Sequence, residues 1–142
     1  LSSRRQRQMC IRDSPYDASL EGLVSKKKDF IGKRSLNRSA FTSTDREKLV
    51  GVVPIDKTTS IPEGSYIVKD PKAKLPNPKL GHVSASCWSV EYDNPFSLAI
   101  IKDGKNMIGQ KLFAMSPLKN KTIPVEIVSS HYVDPEGKRV RS

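Results

Sequence analysis

A chain of 142 residues with 36% apolar side chains and a formal net charge of +10 has room for one domain. Such a domain buries about two thirds of the surface its unfolded chain exposes. No apolar run approaches the roughly 20 residues that cross a bilayer, and the start shows no secretory apolar stretch. The lysines are dispersed rather than clustered with arginine and aromatics, so the charge implies a soluble surface that mildly attracts anions, not a nucleic-acid platform or a membrane partner.

Residues 1–14 stand apart. Gln8-Met9-Cys10-Ile11-Arg12-Asp13-Ser14 resembles a translated transposase adapter of the kind used to prepare sequencing libraries. The codons CAG ATG TGT ATA AGA GAC AG reproduce these residues in order. Residues 1–14 are therefore read as an artefact, disordered and outside the fold. They carry four arginines against Asp13, so the remainder keeps a charge of +7. Without them Cys87 is the single cysteine, which excludes an internal disulfide and a cysteine metal site, and the chain reads as cytoplasmic.

In chain order, Asp29 can cap a short helix whose faces begin with Phe30, Arg34 and Leu36. Gly32-Lys33 has the look of a phosphate loop, but no glycine lies five positions earlier and Arg34 stands where Ser or Thr is needed. Asn37 to Arg46 has the polar composition of a linker. Strands are expected at Lys48–Val53, where Gly51 suggests a bulge or close approach, and at Ser65–Val68 after the turn residues Pro62-Glu63-Gly64. Three prolines make residues 69–79 a loop.

The central stretch is Gly81 to Ile101, GHVSASCWSVEYDNPFSLAII. Gly81 offers backbone angles closed to other residues, and Val83 opens a strand. Asp93-Asn94-Pro95 marks the reversal, because proline cannot continue a central ladder. Phe96, Leu98 and Ile100 then alternate with Ser97, Ala99 and Ile101, which places the bulkiest groups on one face of a core strand. After a turn at Asp103-Gly104, strands are expected at Gln110–Met115 and over Ile123, Val125 and Ile127, with Pro124 on an edge or beside a bulge. About six short antiparallel strands argue a mainly β sandwich or small barrel.

Few residues suggest chemistry by themselves. His82 and His131 have no second ligand at metal-site spacing and read as hydrogen-bonding structural histidines. Cys87 reads as a small buried thiol. Asn37-Arg38-Ser39 and Asn120-Lys121-Thr122 match glycosylation acceptors that a cytoplasmic chain would not use. No pair of acids is spaced for acid–base work, so no catalytic residue and no metal ligand is assigned.

Gly81, Val83, Ser89, Leu98 and Ala99 resemble the glycine-x-valine-threonine-serine, serine-proline and alanine-leucine-alanine signature of the aminomethyltransferase family. Small residues replace most of the others, and Val90 stands in the place of a proline. His82, Ser86, Trp88 and the run Lys28-Asp29-Phe30-Ile31-Gly32-Lys33 are similar to the family's sarcosine oxidase α-subunit branch. Pro15 to Leu23 and the terminal Tyr132-Val133-Asp134-Pro135-Glu136-Gly137 resemble two further family segments.

The resemblance implies a six-stranded C-terminal β-barrel over 47–142, with 15–46 as the tail of a truncated middle folate-binding domain plus linker. It implies an enzyme that oxidises sarcosine at a flavin and passes the one-carbon unit to tetrahydrofolate, with flavin and NAD held elsewhere in the complex. Its partners would be the chain's own N-terminal domains and the other oxidase subunits. The family's catalytic aspartate belongs to those domains, so this piece alone is expected to be inactive. Within it, Trp88 and Tyr132 would be aromatic walls for a pterin, and Arg139 or Arg141 would pair with a folate carboxylate. The alternatives are a glycine-cleavage aminomethyltransferase or folate-dependent demethylase and, in another class, a free-standing basic barrel that binds RNA or protein.

Overall fold

The computed structural model describes residues 14–43, 45–72, 78–139 and 141. Its centre is a closed antiparallel barrel of six strands in the order β1-β4-β3-β2-β5-β6. The strands are β1 (Glu47–Pro54), β2 (Tyr66–Val68), β3 (Gly81–Ser89), β4 (Asn94–Lys102), β5 (Lys111–Ser116) and β6 (Lys121–Val128). Among the described residues no helix is long and apolar enough to cross a membrane.

Alternation fills the interior. Val50 and Val52 of β1, Ala99 and Ile101 of β4, and Ile123, Val125 and Ile127 of β6 point inward, and Ile61 plugs the barrel from the β1–β2 connection. The sequence placed the reversal before β4 too late. The turn occupies Val90–Asp93, and Asn94 and Pro95 already pair with Ser89 and Trp88. Pro95 is tolerated because it is the second residue of the strand, near its end.

The inner face of β4 is also the opposite of the bulky one. Ser97, Ala99 and Ile101 are buried inside, whereas Phe96, Leu98 and Ile100 are half-buried outside. The interior is already filled by the branched side chains of β1 and β6 and by Ile61, so β4 contributes its smaller set, Ser97, Ala99 and Ile101. Gly81 is required for space rather than for backbone angle. A Cβ there would lie 2.0 Å from the Ile100 carbonyl oxygen. Gly51 is a close approach, as expected: a Cβ would meet the Ser129 oxygen at 2.5 Å and the Phe96 ring at 2.7 Å.

The barrel has no edge for Pro124. It sits one step beyond the last β1–β6 pair, Pro54↔Val125, and its carbonyl accepts the Ile55 N–H at 3.0 Å. The missing donor falls where the ladder with β1 ends.

Ahead of the barrel, α1 (Lys33–Leu36) and α2 (Ser39–Thr42) are single turns, the second inside the stretch read as linker. Asp29 does not cap α1. Gly32 precedes the helix in a left-handed conformation (φ 95°), and Asp29 pairs with Lys33 at 3.3 Å. The turn at 14–20 docks on the start of β1, which β6 does not reach. Leu49 donates its N–H to Asp17 O at 2.7 Å, and the Ser19 hydroxyl donates to Leu49 O at 2.7 Å.

Asp17 locks this contact. Its carboxylate is buried and accepts from Arg46 Nε at 2.8 Å, Arg46 Nη2 at 2.5 Å and the Ser14 hydroxyl at 2.9 Å, with Lys48 at 3.6 Å. Ser14, expected to be disordered with residues 1–13, is instead buried here; residues 1–13 lie outside the described residues.

Burial opposes the charge on Asp17, but the Arg46 bonds and the Ser14 bonds outweigh it and hold the carboxyl at about 2, below its ordinary 3.8. A depressed folded pKa stabilises above the unfolded value and is lost as pH falls through the folded one. Asp17→Asn should therefore cost about 2 kcal/mol at neutral pH, a deficit that shrinks between about pH 4 and pH 2. Unfolding of parent and variant across that range is the check. A deficit that does not change with pH would contradict it.

Candidate functional site

One extra residue in β3 decides what the projecting end of the barrel presents. Val83 pairs with Ala99 but Ala85 pairs with Leu98, so Ser84 is bulged out of register. The bulge inverts the alternation beyond it. Ser86 takes the inner phase, where its hydroxyl meets Ser97 Oγ at 2.9 Å and donates to Ile61 O at 2.7 Å. Trp88 shares that phase at the strand's far end, with 52% of its surface exposed. Cys87 faces outward, opposite Phe96, and is exposed rather than buried as the sequence suggested.

The outer face is covered by the chain after β6. This strap, residues 129–139, passes over Gly51 and brings the Tyr132 ring onto Phe96, nearly parallel at 13° with centroids 4.9 Å apart. Tyr92 packs against the same ring, 4.6 Å away and tilted by 55°. Buried Asn94 donates from Nδ2 to the Tyr132 hydroxyl at 3.2 Å, while its Oδ1 finds no partner.

Further along the strap, Asp134 adopts a left-handed conformation (φ 46°), and its carboxylate accepts the N–H groups of Lys138 and Arg139 at 2.9 and 3.0 Å. Arg139 then grips Glu91 with both terminal nitrogens, at 3.1 and 2.5 Å. The Arg139 fork holds the Glu91 carboxyl below its ordinary range, and Glu91 raises Arg139 in return.

Between strap and hairpin lies an open cleft of about 430 Å³, lined by Cys87, Glu91, Phe96, His131, Tyr132 and their neighbours. The volume suits a small-molecule fragment. Of the three residues expected to bind a cofactor, Tyr132 lines this cleft, Arg139 stands behind its Glu91 wall, and Trp88 lies on the other face of the β3–β4 ribbon. His131 also lines it, its Nδ1 3.3 Å from the Ser130 hydroxyl. His82 lies exposed on β3, opposite Tyr66 and Ile100. Arg141 is exposed.

Sequence reasoning passed over Glu91, Tyr92 and Asn94. Their one signal was the density of polar and aromatic residues at the hairpin tip. A wider hollow of about 890 Å³ opens among Lys26, Lys27, Lys28 and Lys33. There the Lys33 ammonium donates to Lys28 O at 2.9 Å and shapes the loop. Among the described residues no group of three or more His, Cys, Asp or Glu side chains converges to hold a metal ion.

Tyr132→Phe removes the partner of the one Asn94 atom that is satisfied. It should cost about 1–2 kcal/mol of stability, since a buried amide is then left unpaired. Denaturant unfolding of both forms is the measurement, and equal midpoints would refute the role given to that bond.

This architecture has known counterparts. The family model of the glycine cleavage T-protein C-terminal barrel domain matches residues 47–134. The sarcosine oxidase α subunit of Corynebacterium sp. (strain P-1) is 37% identical over 128 residues, and that of Rhizobium meliloti (strain 1021) is 34% identical over the same length. Each alignment covers 89% of this chain but 13% of the relative, so the chain spans about an eighth of those proteins. The glycine cleavage system aminomethyltransferase T of Bartonella henselae superposes with a TM-score of 0.60 at 20% identity, over 85% of this chain and 32% of that one. That likeness is one of fold.

Proposed function

The chain belongs to the glycine cleavage T-protein C-terminal barrel family, and from that membership we propose that it is the C-terminal part of a sarcosine oxidase α-subunit-like, folate-dependent one-carbon-transfer enzyme. In the complete enzyme, sarcosine is demethylated oxidatively and the one-carbon unit passes to tetrahydrofolate. The barrel at 47–142 forms one wall of the folate chamber, and 15–46 is the tail of the middle domain with its linker. Partner domains and subunits supply flavin, NAD and the catalytic acid.

The observation that carries this reading is Trp88. A tryptophan at the far end of β3, 52% exposed on the face away from the Tyr132 stack, offers part of a flat polarizable ring of the size a pterin needs. The apolar side chains of Leu23 and Ile31, almost wholly exposed on the preceding segment, are consistent with cover by upstream domains. Tetrahydrofolate fits this donor set in part. Trp88 offers an aromatic face to a pterin, whereas Arg139 already holds a carboxylate.

Bound folate would supply the amine that accepts the one-carbon unit. This chain's own share is to stack, orient and exclude water. Trp88→Ala in the full-length protein should weaken tetrahydrofolate binding by about 1–3 kcal/mol, the range found for base–aromatic stacking. Titration calorimetry reads it directly. Unchanged affinity would remove Trp88 from the chamber and with it the main support for this assignment.

A further inference from the structure

We propose that Glu91 is a built-in placeholder, its carboxylate occupying the Arg139 fork that takes the carboxylate of an aromatic ligand seated beside Tyr132. This rests on the folate reading above and deepens it, because it assigns a selectivity residue to the ligand's acidic end rather than to its ring.

Four features lead to it. The Arg139–Glu91 contact is the two-pronged geometry in which arginine recognises a carboxylate, at 3.1 and 2.5 Å. Both side chains are well exposed, 64% and 41%, so the pair contributes little to stability and exchanges readily. The fork is nonetheless pre-positioned, since the Asp134 carboxylate fixes the backbone N–H of Arg139 and Tyr132 anchors the same strap on Phe96. Finally, Glu91 itself lines the cleft of about 430 Å³ with Phe96 and Tyr132. Swinging it aside opens the two guanidinium positions that Glu91 fills and widens the cleft in one movement.

Such a placeholder discriminates. A simple anion must displace Glu91 with nothing else to offer, whereas an aromatic carboxylate adds ring contacts that tip the exchange. The chemistry recognised is a benzoyl-type ring followed by a carboxylate.

The test uses the full-length protein and two probes, p-aminobenzoyl-glutamate and its neutral diamide, followed by calorimetry. Glu91→Gln is isosteric and exposed, so the fold is retained. It should tighten the carboxylate probe about two- to five-fold, the span that an exposed ion pair can hold back, and leave the diamide unchanged. Arg139→Gln should weaken the carboxylate probe, and adding Glu91→Gln to it should change nothing further.

Unchanged or weaker binding in Glu91→Gln, or equal tightening of both probes, overturns the proposal. If Trp88→Ala weakens tetrahydrofolate while Glu91→Gln leaves the carboxylate probe untouched, the folate assignment stands and the placeholder falls. If the parent protein binds neither tetrahydrofolate nor the carboxylate probe, both fall.

Discussion

Closure of the sheet between β1 and β6 is the constraint on which the rest of this structure depends. Only four residue pairs join the two strands, from Gly51↔Val128 to Pro54↔Val125. They turn an open sheet into a barrel without edges, and they bring the end of β6 alongside β1. The chain beyond β6 must therefore run across β1 and β4. Gly51 permits this, because any side chain at that position would occupy the space of the Ser129 carbonyl and the Phe96 ring. Barrel closure and placement of the Tyr132 strap are one packing solution.

The open length of β1 has its own solution. Where β6 stops short, the turn around Asp17 completes the ladder through Leu49, and the buried carboxylate binds that turn to Arg46 and Lys48. A buried charge is tolerated only when paired and hydrogen-bonded, and Asp17 meets both conditions. The consequence is mechanical. The segment ahead of the barrel is fixed on it by an ionic cluster, while the strap that follows β6 is fixed by stacked rings. Both grips act on the outer surface, while the interior is a cluster of aliphatic side chains with the Ser86–Ser97 hydroxyl pair at one end.

Functionally, the projecting hairpin offers two unlike faces. Trp88 shows an exposed ring on one, and the other holds the Tyr132, Glu91 and Arg139 group around a cleft. A ligand that used both would wrap the ribbon's end rather than enter a single slot. Which β3 residue each face carries is set by a single inserted residue, Ser84, which reverses the inside–outside order of everything after it in that strand.

The sequence by itself determined the class of fold, the six strands within a residue or two, the need for a glycine at 51, and the family through the motifs around Gly81, Phe30 and Tyr132. These are local properties: alternation, turn chemistry and short runs of residue types survive without knowledge of the partner strand. Tertiary structure alone decided which face of β4 is inside, why Cys87 is outside, and that Trp88 and Tyr132 lie back to back. Each of these depends on register and on the width of the barrel, and a bulge one residue long leaves no trace in an alternating pattern of small side chains. The Asp17 cluster and the Glu91–Arg139 fork join residues 29 and 48 positions apart, a proximity that only the closed sheet creates.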